Sequence, residues 1–317
     1  MTVLVLCEDL DITADRVIAE LTSRRVPVVR ANTAWFPSTL SLYASLSGDR
    51  WSGAIRVRGR QVRWDDIRSI WYRRPNGFRF PAAMSEPERR HASWEARFGL
   101  GGVLACLPVR WVNHPQRQAD ANYKPVQLAV ARRCGLAVPN TVITNEPDQV
   151  RQFAASAAGG VVVKTLSTPA VLEASGITVA HARRLSERDL ADLSGVDVTA
   201  HLFQAWVDKA YEVRVTAVGE RMFAVAIEAT TPAGREDWHN DLESCRYHVV
   251  DVPARVREPV AAYLDQLGLS YAAFDFAVDH DERWWFLEAN PGGQYGWLQA
   301  ATGLPISTAV ADLLARR

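Results

Sequence analysis

Hydrophobic and polar residues alternate along two neighbouring segments near the end of the chain, 271–279 and 283–290. Both segments are rich in aromatic and β-branched residues, and the polar stretch between them predicts the turn of a β-hairpin. If residues 281–282 form the tip, counting back along the strands pairs Asp275 with Glu288. The pattern therefore predicts two carboxylates directly opposite each other.

The two faces of this hairpin differ in chemistry, because side chains alternate along a strand. Asn290 follows Glu288 on the polar face, beside Asp275. Carboxylates at this spacing repel each other unless a cation lies between them, and hard oxygen ligands suit Mg²⁺. The alternative is a polar face that is simply exposed to solvent. The other face is predicted to be apolar and to pack in a core, and it consists of Phe274, Phe276, Val278, Trp285, Leu287 and Ala289.

The N-terminal third begins with a β-α-β pattern. A buried strand over 3–6 precedes a helix capped by Asp11 or Thr13, and a second strand follows over 27–30. No glycine-rich phosphate loop follows the first strand, which excludes a dinucleotide-binding Rossmann fingerprint. The pattern then predicts strands at 41–46, 54–57, 61–64 and 67–72, a helix over 86–107 and a domain boundary at 110–115.

Helical and extended patterns follow one another from there to the hairpin. Lys124 lies at the start of a helix that stops at Gly135. Lys164 ends an apolar strand, where a lysine needs an anion. The other predicted elements are an extended segment at 136–141, strands at 161–164, 202–207, 208–215 and on both sides of Gly219, and helices at 258–267 and 305–314.

Two pairs of polar residues each allow two interpretations, and a polar loop supplies further candidates. Arg73 and Arg74 end a strand before a proline and could bind carboxylate or phosphate, or form a solvated edge. Glu212 and Arg214 share one face of a strand, either as an ion pair or beside a phosphoryl group whose charge the arginine neutralises. The polar loop 230–242 is too long for a turn, and loops of this kind often hold substrate. Its candidates for peptide contact are Arg235, Asp237, Trp238 and His239, with Trp238 predicted to be exposed.

Composition narrows the class of protein. The chain has 317 residues, 48% of them hydrophobic, which suits two or three globular domains. Basic and acidic residues balance at 36 each, so charge favours neither nucleic acid nor a membrane as a partner. No apolar run reaches the ~18 residues of a membrane span. The four cysteines lack paired spacing and predict a reduced, cytoplasmic protein, and the eleven tryptophans fit either large cores or an apolar groove for a peptide.

Glu288-Ala289-Asn290-Pro291, after the strand residue Asp275, resembles the magnesium-binding end of the ATP-grasp ligases. The resemblance implies an α/β (α+β) chain in which a small pre-ATP-grasp domain (1–112) precedes the ATP-grasp fold. That fold would consist of a central subdomain (113–200) and a C-terminal subdomain (201–317). The glycine-rich flap usual after the second lysine is missing, which leaves open how the triphosphate is covered.

The resemblance also implies roles for individual residues. Asp275, Glu288 and Asn290 would hold Mg²⁺. Lys164 and Arg214 would act in catalysis. The implied ATP contacts are Lys124, Lys164, Gln204, the backbone of Ala205, Trp206 and Val207 against the adenine edge, Lys209 and Glu212.

Together with Trp71-Tyr72-Arg73-Arg74-Pro75, the whole chain resembles the graspetide synthetases, the ATP-grasp peptide maturases of the microviridin type. The implied reaction uses ATP and Mg²⁺ to convert an Asp or Glu side chain of a ribosomal precursor peptide into an acyl phosphate. A Thr or Ser hydroxyl or a Lys amine of the same peptide then closes an ester or amide ring. A homodimer is possible. The alternatives are a ligase that joins an amino acid to a small molecule or protein tail, and a nucleotide-binding regulator without turnover.

Overall fold

The structure, a computed structural model, describes residues 1–167, 170–173, 176–179, 182–238 and 242–316. Of the predicted substrate contacts, His239 lies outside these residues. None of the helices in the described ranges is both long and apolar enough to cross a membrane.

The N-terminal part is built on a parallel sheet flanked by helices. Its elements are β1 (Thr2–Cys7), α1 (Ile12–Ser23), β2 (Val28–Ala31), β3 (Leu40–Ser47), β4 (Arg50–Val57), β5 (Arg60–Arg63), β6 (Ile67–Arg73), α2 (Glu86–Ala105) and β7 (Arg110–Val112). The parallel sheet has the order β2-β1-β6-β7, and β3, β4 and β5 form a separate antiparallel sheet. Every residue of β1 is buried, as in parallel strands covered on both faces.

Local signals explain where these elements begin. The Asp11 carboxylate accepts a hydrogen bond from the Ala14 N–H and caps α1, one of the two caps that the sequence allowed. Ser85 and Glu88 form a capping box at the start of α2. The β-α-β start, the three short strands and the helix are confirmed. Strand β7, which is too short to show a hydrophobic period, was not predicted. It lies at the predicted domain boundary, 110–115, which stays a prediction.

The central part carries a four-stranded antiparallel sheet in the order β12-β9-β13-β8. Strand β13 extends this sheet past residue 200, whereas the division of the chain at 112 and 200 stays a prediction. The elements are α3 (Pro115–Ala121), α4 (Lys124–Arg133), β8 (Thr141–Thr144), α5 (Pro147–Ser156), β9 (Val161–Lys164), β10 (Ala170–Glu173), β11 (Gly176–Val179), β12 (Arg183–Arg184), α6 (Glu187–Ala191) and β13 (His201–Ala205).

The C-terminal part is a five-stranded antiparallel sheet in the order β16-β15-β14-β17-β18. Its elements are β14 (Lys209–Val218), β15 (Arg221–Glu228), α7 (Pro232–Glu236), β16 (Arg246–Val250), α8 (Ala254–Leu267), β17 (Tyr271–Asp279), β18 (Trp284–Asn290), α9 (Gly296–Thr302) and α10 (Ile306–Ala315). One face of this sheet packs on α4 and α8 around Tyr263, Phe274 and Phe286. Helix α10 packs on α1 and β6, which joins the end of the chain to the N-terminal core.

Candidate functional site

Three charged residues form a row across neighbouring strands of the C-terminal sheet. Arg214 on β14 lies opposite Asp275 on β17, which lies opposite Glu288 on β18. The Nη1 of Arg214 donates to both oxygens of Asp275, at 2.9 and 2.8 Å. The side chains of this pair are only 5% and 6% exposed, so the ion pair lies in the interior. The predicted alignment of Asp275 with Glu288 is confirmed.

The turn that produces this alignment differs from the predicted one. The Asp279 N–H bonds to the Arg283 carbonyl, so three residues rather than two form the loop, and Glu282 takes a positive φ of 59°. This shifts the strands by one residue near the tip. A bulge between Asp275 and Phe276 shifts them back, which restores the pairing of Asp275 with Glu288.

The bulge also corrects the predicted apolar face. Trp284 and Phe286 of β18 are buried in the core, whereas Trp285 and Leu287, which were expected there, are half-buried. Near the tip the strand therefore presents the opposite set of side chains to the core, as a one-residue slip requires.

Lysine is concentrated at this site. Of the 36 basic residues in the chain only three are lysines, Lys124, Lys164 and Lys209, and every other one is arginine. Lys124 at the start of α4 lies 2.6 Å from the Glu288 carboxylate. Lys209 forms an ion pair with Glu212. A compact ammonium group suits phosphate as a point charge, so the restriction of lysine to these three positions is a signal for the site that the sequence itself carries.

Lys164, at the end of β9, differs from Lys124 and Lys209 because no ion pair among the described residues balances its charge. Burial lowers its pKa to about 8; the carboxylate of Glu288 opposes this shift and the charge of Lys124 adds to it. Among the described residues it has no ion pair or hydrogen bond through its ammonium group. A half-buried cation of this kind is a ready site for an anionic oxygen.

Glu212 on β14 faces the same region. Burial raises the pKa of Glu212, and Lys209 opposes that shift. The Lys209 Nζ also donates to the carbonyl of Glu236 at 3.0 Å and lies 5.3 Å from the centre of the Trp206 ring. The two residues thus connect the row of charges to the segment after β13.

A cleft of about 430 Å³ lies between that segment and the tip of the hairpin. This volume is within the usual range for small-molecule sites, ~300–1,000 Å³. The residues that line the cleft are Pro139, Asn140, Ala205, Trp206, Val207, Asp208, Asp279, His280, Asp281 and Trp285. The backbone predicted to face adenine therefore lines a pocket.

Hydrogen bonds within the protein already occupy some of the backbone N–H groups of this segment, so few of them can bind a base. The N–H groups of Ala205 and Trp206 already donate to the Asn140 and Gly160 carbonyls, at 2.8 and 2.9 Å. The N–H of Val207 makes no hydrogen bond within the described ranges, which leaves it as the donor of this segment. Gln204 is buried and donates to the Thr141 hydroxyl at 3.0 Å, so its side chain supports the neighbouring strand rather than the pocket.

The oxygens of Asp275, Glu288 and Asn290 fit a hard divalent cation. They include two carboxylates and one amide, and Asn290 lies beyond Glu288 at the end of β18. The Asn290 Oδ1 accepts the N–H of Gly292 at 3.0 Å, which fixes the side chain. The described residues contain no cluster of three or more His, Cys, Asp or Glu side chains of metal-binding geometry. Two carboxylates are nevertheless the number that Mg²⁺ commonly takes beside phosphate oxygens.

The loop after Asn290 is held by residues that the sequence did not single out. Asn113 donates to the carbonyls of Tyr271 and Pro291 at 2.7 and 2.8 Å and accepts the N–H groups of Ser270 and Tyr271. A side-chain carbon at position 293 would lie 2.5 Å from the Cβ of Ala273, so Gly293 is required for this close approach. These contacts join distant parts of the chain, and a sequence pattern carries no signal for them.

Two of the predicted substrate contacts are buried, which corrects the expectation for them. Trp238, expected to be exposed, is 2% exposed and packs at 5.8 Å from the Trp297 ring. Arg73 is 3% exposed; it forms an ion pair with Asp11 and donates to the Gly292 carbonyl at 2.8 Å. Neither side chain is available to a peptide at the surface.

The remaining predicted contacts stay predictions. Arg74 and Arg235 are exposed, and Asp237 is half-buried. The Asp237 carboxylate accepts the N–H of Ala182 at 3.3 Å, which ties the loop to the central part of the chain.

Replacing Arg73 by leucine is expected to lower the free energy of unfolding by about 3–5 kcal/mol, because the buried carboxylate of Asp11 loses the cation that balances its charge. Urea unfolding of Arg73→Leu measures the effect. Arg74→Leu, at the exposed neighbour, is the matched control and is expected to change stability by less than about 0.5 kcal/mol. Equal stability of the two variants would contradict a structural role for Arg73.

The chain is similar to a known protein family and to several solved structures. Residues 2–119 match the family described as the MvdD pre-ATP grasp domain. The macrocyclase MdnC of Microcystis aeruginosa MRC, solved with the precursor peptide MdnA, is 29% identical, and the match covers 100% of this chain and 99% of that one with a TM-score of 0.88. The macrocyclase MdnB of the same organism is 26% identical over 100% and 99% of the two chains, with a TM-score of 0.82.

A RiPP-associated ATP-grasp ligase of Chryseobacterium gregarium, solved with ADP and a leader and core peptide, is 24% identical over 99% and 96% of the chains, with a TM-score of 0.91. No curated protein matches the sequence. The expected fold, an ATP-grasp fold preceded by a pre-ATP-grasp domain, is confirmed. The resemblance to the ATP-grasp peptide maturases is confirmed with it.

Proposed function

We propose that this chain, which has the fold of the ATP-grasp peptide maturases, is an ADP-forming ligase that closes ester or amide rings in a ribosomal precursor peptide. The observation that carries the proposal is the meeting of the three lysines with the Arg214–Asp275–Glu288 row beside a nucleotide-sized cleft. ATP and Mg²⁺ are the cofactors. Mg²⁺ supplies charge neutralisation on the phosphate oxygens.

The position of each residue in the site determines the part of the substrate or cofactor that it contacts. The Val207 N–H faces the adenine edge in the cleft. Lys124 and Lys164 bind phosphate oxygens, and Lys209 and Glu212 border the same site. Asp275, Glu288 and Asn290 would hold the metal. Arg214, fixed on Asp275, balances negative charge close to the transferring phosphoryl group.

The reaction balances without a covalent enzyme intermediate. A carboxylate oxygen of a peptide Asp or Glu attacks the γ-phosphorus of ATP, the bond to the bridging oxygen breaks, and ADP leaves. A hydroxyl or amine of the same peptide then attacks the acyl carbon, phosphate leaves, and the attacking group loses its proton. The protein's task is to position the groups, exclude water and offset charge.

Mass spectrometry of the peptide after incubation tests the function directly. The purified chain is mixed with Mg-ATP and a ribosomal precursor peptide that carries Asp or Glu together with Thr, Ser or Lys side chains. A macrocyclase is expected to remove the mass of one water for each ring while it releases ADP. An unchanged peptide mass with ADP release on addition of free amino acids would favour the amino-acid ligase. The absence of both signals would favour a regulator that binds nucleotide without turnover.

Partners beyond the peptide stay proposals. A homodimer would cover the exposed aromatic surface that Trp94 and Phe98 form on α2. A reducing, cytoplasmic setting agrees with the free thiols of Cys7, Cys106, Cys134 and Cys245. The balance of acidic and basic residues favours neither nucleic acid nor a membrane.

A further inference from the structure

Two tryptophans confine the guanidinium group of Arg214. The Cζ of Arg214 lies 5.6 Å from the centre of the Trp238 ring and 5.3 Å from that of Trp297. These rings come from different places: Trp238 follows α7, and Trp297 lies at the start of α9, just after the loop that follows Asn290. The site therefore surrounds its arginine with aromatic rings from two separate parts of the chain, the segment after α7 and the first turn of α9.

The hydrogen bonds of Arg214 do not fully fix the orientation of its guanidinium, so that orientation depends on the packing of the two tryptophan rings. Its Nη1 donates both short bonds to Asp275, while the bond that Nη2 donates to the Gln294 carbonyl is longer, at 3.4 Å. The buried Nε has no hydrogen-bond partner among the described residues. Two short bonds from one nitrogen and one long bond from another fix where the guanidinium lies more firmly than how its plane is turned. The two rings supply that second restraint.

The segment that carries Trp238 also contacts two other parts of the site. The Glu236 carbonyl accepts from Lys209, and the Asp237 carboxylate accepts the Ala182 N–H of the central part. Three consecutive residues thus contact a lysine of the site, the central part of the chain and the arginine. A shift of this segment would move the Trp238 ring against Arg214.

We propose that Trp238 is a positioning residue that, with Trp297, holds the guanidinium of Arg214 in its working orientation on Asp275. The inference deepens the proposed function and rests on it, because it concerns the arginine assigned to the phosphoryl-transfer step. An indole ring attracts a guanidinium over its face and excludes water from the ion pair. Trp238 touches no reacting atom and acts through Arg214.

Kinetics of two substitutions separate this role from simple filling of space. Trp238→Leu removes the ring and is expected to lower kcat about 10- to 100-fold with a change in the KM for ATP below about 3-fold, since small misplacements of a catalytic group are costly. Trp238→Phe keeps a ring and is expected to recover most of kcat. Trp51→Leu, at a half-buried tryptophan of β4, controls for the loss of an indole elsewhere. Equal losses in the leucine and phenylalanine variants, or a rise in KM alone, would overturn the proposal.

A double-mutant cycle with Arg214→Lys tests whether Trp238 acts through the arginine. Lysine lacks the planar fork that the rings orient. In this background Trp238→Leu is expected to lower kcat less than about 2-fold further, whereas additive losses would contradict the inference.

Thermal unfolding of the wild type, Trp238→Leu, Arg214→Lys and the double variant tests the same coupling without turnover. Their thermal unfolding midpoints are expected to shift non-additively, because the ring and the guanidinium are in contact. If the wild type released no ADP with any peptide, the proposed function would fail while this cycle still decided whether Trp238 and Arg214 are coupled. Additive shifts would show that they are not.

Discussion

Replacing Glu288 by glutamine is expected to lower the rate of ADP formation by about 10²–10³-fold or more and to leave the fold intact. The glutamine keeps the size of the side chain and can still accept a hydrogen bond from Lys124, which lies 2.6 Å from the carboxylate. It removes one of the two negative charges that face each other across β17 and β18. The remaining oxygens of Asp275 and Asn290 no longer match the charge of a divalent cation beside a triphosphate.

The measurement combines an ADP-release assay, the mass of the peptide product and the thermal unfolding midpoint. Glu258→Gln, at an exposed carboxylate of α8, is the matched control and is expected to turn over at the wild-type rate. Normal turnover by Glu288→Gln would refute the metal assignment. A loss of activity together with a collapsed unfolding midpoint would show instead that Glu288 is needed for folding.

The hairpin shows which features of the site a sequence pattern can predict and which it cannot. Alternation identified the two strands and aligned Asp275 with Glu288, although the predicted two-residue tip was wrong and the bulge after Asp275 was not predicted. The two errors offset each other at the carboxylates but not nearer the tip. There Trp284 and Phe286 are buried, whereas Trp285 and Leu287, which were expected in the core, are half-buried. Turn type and bulges depend on backbone details that a period of two does not encode.

The burial of long polar and amphipathic side chains was the second feature that the sequence did not predict. Trp238 lies among polar residues in the sequence, which favoured exposure, and Arg73 was predicted either to bind an anion or to form a solvated edge. In the structure each finds partners far along the chain: Arg73 contacts Gly292, and Trp238 contacts Trp297 and Arg214. Local composition cannot report such contacts, because tertiary packing creates them. The strands that carry Lys164 and Arg214 were predicted correctly, because an apolar run and a period of two are both visible in the sequence.

Lys164 is expected to make ATP binding depend on pH in the alkaline range. Its pKa is about 8, lowered by burial and by Lys124, while Glu288 and Glu212 oppose that shift and Lys209 adds to it. Below this pH the side chain is charged and binds phosphate; above it the charge is lost. We therefore expect kcat/KM for ATP to fall as pH rises through about 8, by up to about tenfold per pH unit.

Substitutions at this position separate charge from size. Lys164→Arg keeps a permanent charge and is expected to flatten the profile between about pH 7 and 9. Lys164→Met lacks the charge at every pH and is expected to lose about 1.5–3 kcal/mol of phosphate binding, about 10- to 150-fold in kcat/KM. A Lys164→Arg profile with the same limb near pH 8 as the wild type would assign the titration to another group.

The scarcity of lysine makes the pKa itself measurable without turnover. Reductive methylation with ¹³C-formaldehyde labels only Lys124, Lys164, Lys209 and the terminal amine, because every other basic side chain is arginine. One of the three side-chain signals is expected to titrate near pH 8 and to disappear in Lys164→Arg. Saturating nucleotide is expected to move that titration upward, since phosphate oxygens stabilise the charged amine. A signal that titrates near pH 8 but does not respond to nucleotide would place the triphosphate away from Lys164, whatever the kinetics of the variants.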